Sequence, residues 1–207
     1  MTARASSDPS ARPAAAPTID GRLNRSVVTR KKIIDALTAL VYEGCLAPTA
    51  EQVATKADVG LRTVFRHFED MDSLYREMGS DLDAVVMPVI NTRLEGATWR
   101  DKLHHSIELR ATLYDRVAAM HLATQVHRHE SGLLDRNCRR LVELQRERLR
   151  SMLARTPAAD GAVFEALDAV LSIEVWIRLR REQGLTGAQA RGVMRLAAER
   201  ILGLAGP

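Results

Sequence analysis

Three observations on the sequence predict an all-α protein. Leu, Ala, Arg and Glu dominate the 207 residues, and these residue types favour helices. Apolar residues make up 46% of the chain, enough to build a core, whereas aromatic residues make up only 4%. Apolar positions recur at helical spacing, and runs of β-branched residues are scarce. The length suits one large helical domain or two small ones.

Residues 1–21 are rich in Ala, Pro and Ser and low in large hydrophobic residues. Such a segment buries too little apolar surface to offset the entropy lost on ordering, so the composition predicts a disordered tail. Arg4 and Arg12 leave open the alternative of a flexible basic arm on DNA phosphates.

The first predicted helix runs from Ser26 to Glu43, and Gly44 ends it. It carries Arg30 and Lys31 in its first turns. A second, short helix is predicted to begin at Thr49, because "TAEQ" is a capping box.

The stretch "VGLRTVFRHF", residues 59–68, predicts a third helix with two different faces. Val64, Phe65 and Phe68 are expected on its apolar side. The donors fall on the other side: Arg62, Thr63, Arg66 and His67. A short helix, a turn and a second short helix form a helix-turn-helix, whose second helix fits the major groove of DNA. An ordinary solvated basic helix is the alternative that periodicity alone leaves open.

Residues 31–78, "KKIIDALTALVYEGCLAPTAEQVATKADVGLRTVFRHFEDMDSLYREM", resemble the N-terminal DNA-binding domain of the TetR family of bacterial transcriptional regulators. The shared pattern is a helix ending before Gly, a Thr opening an Ala-rich short helix, a T-(aliphatic)-(aromatic)-x-H-F motif, and an acidic stretch before Leu. The resemblance implies a DNA-binding regulator rather than an enzyme, most simply a repressor that a small-molecule effector releases from its operator. The alternatives are an activator or a ligand-independent DNA-binding protein of the same fold and, more remotely, a metal-dependent enzyme using the central histidines.

The resemblance implies that residues 49–68 form the helix-turn-helix. It also implies which side chains contact double-stranded operator DNA. These are Arg30, Lys31, Thr49, Gly60, Leu61, Arg62, Thr63, Phe65, Arg66 and His67. Four positions depart from the family's pattern. Asp58 replaces a glycine, Gly60 a serine and Met71 a lysine. Phe65 replaces a tyrosine whose hydroxyl contacts phosphate, so affinity is expected to depend on the basic residues.

From residue 71 onward the sequence predicts further helices. Asp72 is expected to cap one that Pro88 kinks or ends. The others are expected at Trp99–Leu113, Asp115–His129, Leu133–Leu153, Asp160–Gln183 and Thr186–Leu204. Together with the resemblance, these helices predict three parts of the chain: a tail (1–21), a DNA-binding domain (22–70) and an effector-binding and dimerisation domain (71–207).

The resemblance also implies a homodimer in which the last two helices pair with their copies in a second subunit. The interface is expected to contain Phe164, Leu167, Leu171, Val175, Val193, Leu196 and Ile201. Packing within one chain is the alternative for these apolar positions.

The middle helices are expected to enclose a pocket for a small hydrophobic effector. Its predicted lining is Val86, Met87, Ile90, Trp99, Leu103, Met120, Thr124 and Trp176. Ordinary core packing is the alternative for each of these residues.

Several histidines occur in the middle of the chain, among them His104, His121 and His127. They do not follow a zinc-binding spacing such as H-E-x-x-H, so we expect no metal and no cofactor. Cys138 lies beside arginines, so it is either a thiol of lowered pKa or an inert, half-buried cysteine.

Cys45 and Cys138 lie far apart in the sequence, and no stretch approaches the roughly 20 apolar residues of a membrane-spanning helix. The sequence therefore predicts a soluble cytoplasmic protein without a membrane partner.

Overall fold

The computed structural model describes residues 19–154, 156 and 161–203. Every regular element within these residues is helical, which confirms the all-α prediction. The helices are α1 (Ile19–Tyr42), α2 (Ala50–Lys56), α3 (Leu61–His67), α4 (Met71–Asn91), α5 (Trp99–His127), α6 (Gly132–Leu153), α7 (Gly161–Val170), α8 (Ile173–Ile177), which continues into a π-helical turn (Arg178–Glu182), and α9 (Gly187–Ile201). No helix in these ranges has the length and apolar character needed to cross a membrane.

Helix α5 lies at the centre of the fold and packs against α1, α4, α6, α8 and α9. Helices α2 and α3 pack on each other, and α1 links them to α4 and α5. One contiguous core runs from Ile33 in α1 to Ala198 in α9. The helix-turn-helix is therefore joined to the other helices through shared buried side chains of α1 and α4.

Helix α1 is longer than predicted, because it begins at Ile19 rather than at Ser26. Gly21 does not stop it, since glycine inside a helix costs only about 1 kcal/mol relative to alanine. The last three residues of the predicted tail, 19–21, are therefore helical, and the rest of that prediction lies outside the described residues.

Two of the predicted helices, Trp99–Leu113 and Asp115–His129, are a single helix, α5. Its sequence has neither proline nor glycine to interrupt the backbone ladder. Tyr114, at the predicted break, is buried at 1% exposure. Because Tyr114 is part of the core, the helix passes through this position without interruption.

Helix α4 is capped by Asp70 and not by Asp72 as predicted. The Asp70 carboxylate accepts a hydrogen bond from the backbone N–H of Ser73 at 2.7 Å. Pro88 does not end the helix, which continues to Asn91. The Arg148 guanidinium satisfies the last carbonyls of α4 by donating to the backbone oxygens of Val89, Ile90 and Thr92.

The predicted helix Asp160–Gln183 is interrupted at Leu171 and Ser172. The Ser172 hydroxyl caps α8 by accepting from the N–H of Val175 at 3.3 Å. The interruption leaves the Leu171 carbonyl without a partner within its own helix. Side chains of α5 supply that partner instead, as described below.

The capping box recognised in "TAEQ" is present, which confirms where α2 begins, and a second capping box opens α9. Thr49 caps α2 together with Gln52, and Thr186 caps α9 together with Gln189.

Candidate functional site

Helix α3 is held against the body by only part of its predicted apolar face. Val64 and Phe68 are buried at 1% and 2% exposure, whereas Phe65 is 48% exposed. The prediction that Phe65 shares a buried apolar side with Val64 and Phe68 is therefore wrong. Its exposure instead fits the resemblance, which places position 65 towards DNA.

The outer face of α3 carries two exposed arginines, Arg62 and Arg66, one helical turn apart. No residue in the described ranges forms an ion pair with either. The nearby lysines differ, since Lys32 pairs with Asp58 at 3.6 Å and Lys56 with Glu43 at 2.5 Å. The two guanidinium groups of α3 can therefore bind a polyanion without first breaking an ion pair with a carboxylate of the described residues.

Arg30 was predicted to contact DNA, but its guanidinium is bonded to other residues of the chain. Its guanidinium forms a bidentate ion pair with Glu77 of α4 and donates to the backbone oxygen of His67 at the end of α3. It also lies 4.2 Å above the centre of the Phe68 ring. Arg30 thus fixes the end of α3 to α1 and α4, which is a positioning role.

The remaining predicted DNA contacts are exposed or half-buried. Thr49, Leu61 and Phe65 are exposed, Thr63 and His67 are half-buried, Gly60 precedes α3 as its N-cap, and Lys31 is exposed and bonded to Asp35 at 2.7 Å. Burial, followed by the charges of Arg66 and Arg30, lowers the pKa of His67. The neutral imidazole is therefore favoured at this position.

The backbone conformation at Asp58 explains why the family has a glycine at this position. Its φ is +50°, in the left-handed region that glycine adopts without penalty. Asp tolerates this conformation better than most residues but at some cost. The departure thus adds backbone strain to the turn as well as a negative charge.

A partly open cavity of about 560 Å³ lies between α4, α5, α6 and the α7–α8 junction. Of the predicted lining residues, only Val86 and Thr124 border it. Leu82, Leu113, Val117 and Ile173 supply further apolar wall. Its size and its mostly apolar wall suit a small molecule.

The other predicted pocket residues lie elsewhere. Ile90 and Trp99 line an open cleft beside Arg148, and Trp176 lines a separate depression, where its indole N–H donates to Asp115 at 3.1 Å. Leu103 and Met120 are buried in the core, and Met87 is half-buried. These side chains were predicted from apolar character alone, which does not distinguish a core position from a cavity wall.

A polar network that the sequence analysis missed forms one wall of the cavity. Arg110 is only 7% exposed, and its Nη1 donates to the Tyr114 hydroxyl at 3.0 Å, the Gln145 side-chain oxygen at 2.8 Å and the Leu171 carbonyl at 3.1 Å. The Tyr114 hydroxyl also donates to that carbonyl, at 2.9 Å. The carbonyl freed at the α7–α8 break is thereby satisfied twice.

The signal for this network was present in the sequence. Residues Ile107, Arg110, Ala111 and Tyr114 follow one another at helical spacing, and all four are buried. A charged residue at a core position of an otherwise apolar stripe is unusual and marks a functional candidate.

Further titratable groups line the cavity, among them His121, Glu174 and Cys138. The His121 imidazole lies 3.3 Å from the Glu174 carboxylate. Burial raises the pKa of the Cys138 thiol, although the charge of Arg128 acts in the opposite direction. The alternative of a thiol with lowered pKa is therefore wrong, and Cys138 is not activated in this structure.

Solved structures with the same architecture include three bacterial regulators. A transcriptional regulator from Rhodococcus sp. Rha1 matches with a TM-score of 0.67 and 17% identity, covering 86% of this chain and 99% of its own. A proposed TetR-family transcriptional regulator from Mesorhizobium loti MAFF303099 matches with a TM-score of 0.61 and 19% identity, covering 88% and 99%. A proposed transcriptional regulator from Pseudomonas aeruginosa PAO1 matches with a TM-score of 0.58 and 16% identity, covering 88% and 92%.

The chain has the TetR fold. This confirms the resemblance recognised in residues 31–78 and extends it over most of the chain. The likeness is one of structure, because no protein-family model matches the sequence and no curated protein matches it either.

In this TetR fold, the predicted dimer residues separate into two groups. Phe164, Leu167 and Leu171 are at most 1% exposed and belong to the core of the single chain. Val193 and Leu196 on α9 are 41% and 54% exposed. The remaining two, Val175 and Ile201, are partly buried against the core. The prediction for the first three is corrected, because intramolecular packing already covers them.

The central histidines do not converge on one point. His104 contacts Glu199 at 2.9 Å, His105 accepts from the N–H of Glu95, and His127 stacks on Tyr75 with ring centres 3.9 Å apart. Within the described ranges, no three His, Cys, Asp or Glu side chains lie close enough together to hold a metal ion.

Proposed function

We propose that the chain is a sequence-specific DNA-binding transcriptional regulator of the TetR family, a repressor released from its operator by a small molecule. The observation that carries this proposal is the outer face of α3. Arg62 and Arg66 stand there exposed and without ion-pair partners among the described residues, on a helix anchored through Val64 and Phe68. Arginine pairs bidentately with guanine in the major groove and with phosphate.

The proposed contacts to DNA centre on α3 and the start of α2. Leu61, Thr63 and Phe65 would meet base edges or sugar beside the two arginines, and Thr49 and Lys31 would contact phosphate. Arg30 keeps α3 in place and does not itself bind DNA. In this scheme residues 22–70 read the operator and residues 71–207 bind the effector.

Release by an effector is supported by the double role of α4. Glu77 of this helix holds Arg30 and hence the end of α3, while Leu82 and Val86, further along the same helix, line the cavity. A ligand that shifts α4 would therefore displace the recognition helix. By thermodynamic reciprocity, the factor by which the ligand weakens DNA binding is also the factor by which bound DNA weakens ligand binding.

A homodimer would place two copies of α3 on a two-fold symmetric operator. The exposed Val193 and Leu196 of α9 are the apolar surface offered to the second copy. Replacing Leu196 by Glu is expected to shift sedimentation velocity from dimer to monomer without lowering helix content. Unchanged dimerisation would place the interface on another surface.

The experiment that tests DNA recognition is a fluorescence-anisotropy titration of the full chain against the intergenic DNA beside its own gene. Random DNA of equal length is the control, and the salt concentration is varied. Affinity is expected to fall steeply with salt, because phosphate contacts release counterions. Binding no tighter than to random DNA, or a flat salt response, would count against a sequence-specific regulator of that promoter.

A further inference from the structure

The cavity wall contains a buried cation without an opposing charge. Arg110 is 7% exposed, and all of its hydrogen-bond acceptors are neutral: the Tyr114 hydroxyl, the Gln145 side chain and backbone, and the Leu171 carbonyl. No carboxylate in the described ranges lies within ion-pair distance of it. A buried charge is costly unless it is paired, so this position differs from an ordinary core arginine.

The other charged groups of the wall are either paired or exposed to solvent. Asp168 pairs with Arg146 at 2.7 Å, and Glu174 lies beside His121. Arg128 and Arg139 share the carboxylate of Asp135. Glu143 is exposed at the margin. The uncompensated charge inside the cavity is therefore that of Arg110.

A second guanidinium reinforces the positive charge in this region. Arg148 and Arg110 both line a small crevice next to the cavity, and among the described residues Arg148 donates only to the carbonyls that end α4. Burial, and then the charge of Arg110, lowers the pKa of Arg148. Two close guanidinium groups with neutral partners favour an anion between or beside them.

The guanidinium of Arg110 also keeps donor capacity for a ligand. Its hydrogen bonds within the described residues start from Nη1 and, at 3.4 Å, from Nη2, whereas its Nε donates to none of these residues. Carboxylates accept paired N–H groups from the edge of a guanidinium, in short and strong hydrogen bonds. The apolar walls formed by Leu82, Val117 and Ile173 would enclose a hydrocarbon body.

We propose that the effector is an amphipathic monocarboxylate, with its carboxylate on Arg110 and its apolar part in the cavity. This inference rests on the proposed effector-binding function and deepens it. It replaces the purely hydrophobic effector that the sequence suggested. Arg110 would be the residue that selects acids over neutral molecules of the same shape.

The test is isothermal titration calorimetry of the full chain with straight-chain carboxylates from hexanoate to dodecanoate. Each acid is compared with its primary alcohol and its amide. We expect at least one acid to bind on the order of tenfold to a hundredfold more tightly than its neutral analogues, the range of a charge-assisted hydrogen bond. Arg110→Gln should remove most of that preference, and Arg110→Lys should keep part of it.

Arg178→Gln is the matched control, because Arg178 is an exposed arginine that does not border the cavity. Helix content and melting temperature of every variant are measured first. If Arg110→Gln does not fold, the preference of the wild-type protein for acids, with Arg110→Lys, still decides the question.

The assignment is overturned if the wild-type protein binds none of the acids, binds alcohol and amide equally well, or if Arg110→Gln keeps the full preference. The operator titration uses no effector. Its failure would therefore remove the proposed regulator, whereas failure here would remove only the class of effector.

Discussion

Two arginines of the helix-turn-helix, Arg62 and Arg66, differ from Arg146 of α6 in what neutralises their charge. In α3, Arg62 and Arg66 point into solvent and have no ion-pair partner among the described residues. In α6, Arg146 bridges Glu165 and Asp168, both at 2.7 Å. The formal net charge of +4 does not reveal this contrast. What matters for a polyanionic partner is which cations the protein has left unpaired.

Arg30 is intermediate between these two cases. It shows that the role of a basic residue has to be inferred from its contacts and not from its place in the sequence. It belongs to the helix-turn-helix region, yet it is paired with a carboxylate, Glu77, as Arg146 is, and it also donates to the end of α3. A basic residue that the sequence pattern predicts to bind DNA can therefore stabilise the fold instead.

The largest expected effect is on DNA affinity. Replacing Arg62 and Arg66 together by Gln should weaken operator binding on the order of a hundredfold or more, since each direct contact contributes about 1–3 kcal/mol. The melting temperature should change little, because neither side chain has an ion-pair partner in the described ranges. Anisotropy titration and thermal melting measure the two quantities.

Arg146→Gln is the control from the other region. It should leave operator affinity unchanged while lowering stability, because it breaks a bridge between α6 and α7. If both variants weakened DNA binding equally, the contrast between paired and unpaired arginines would carry no functional meaning.

The next effect is on stability at the junction of α1, α3 and α4. Arg30→Gln should lower the free energy of unfolding by about 1–2 kcal/mol, because it removes hydrogen bonds to a carboxylate and a carbonyl. Partial exposure of the pair, 40% and 32%, limits this value. Urea denaturation measures it.

Glu77→Gln should produce a similar loss, and the double variant should lose less than the sum of the two. Strict additivity would show that the Arg30–Glu77 pair does not stabilise this junction.

A smaller effect, of opposite sign, is expected at Asp58. Replacing Asp58 by Gly should stabilise the protein by up to about 1 kcal/mol, because it relieves the left-handed backbone conformation. It should also tighten operator binding several-fold at low salt by removing a negative charge near α3.

Asp58→Asn separates these two causes. It removes the charge but keeps a side chain at the φ of +50°. Affinity that rises in the Gly variant and stays unchanged in the Asn variant would assign the effect to backbone geometry.

The smallest effect is a dependence of stability on pH at His127, where α5 meets α4. Burial lowers the pKa of His127 below 6.5, although Glu130 and Asp72 act in the opposite direction. The unfolded chain then binds a proton that the folded chain rejects. The contribution of His127 to stability is complete above about pH 6.5, the pKa of the unfolded chain. It is lost as the pH falls towards the lowered pKa of the folded chain.

His127→Phe keeps an aromatic ring against Tyr75 and removes the titration. The decrease in melting temperature between pH 7 and pH 5.5 should therefore be smaller in the variant than in the wild type. His67, whose pKa is also lowered, is present in both and cancels in the comparison. Identical profiles would assign the pH dependence to other groups.

The sequence predicted the helix-turn-helix well because its signals are local. The cap at Thr49, the turn before α3 and the motif around Val64 and Phe68 each depend on residues a few positions apart. The same holds for the cap at Thr186. Such contacts form within one or two helical turns and are encoded directly in the order of residues.

Sequence periodicity was less informative in the C-terminal helices. It separates buried from exposed positions, but it does not show what covers a buried side chain. Leu167 was predicted at a dimer interface and lies in the protomer's core, whereas Leu196 of the same predicted interface is exposed. Both occupy apolar helical positions, so the pattern treats them alike.

By itself, then, the sequence determined the fold class, the helix-turn-helix and the basic outer face of α3. The tertiary structure alone decided that Arg30 is bound to Glu77 and that Arg110 faces a cavity. Arg110 meets Gln145 and Leu171, which are 35 and 61 positions away in the chain. Such partners are set by how α5, α6 and α7 pack together, and this packing depends on the whole core rather than on neighbouring residues.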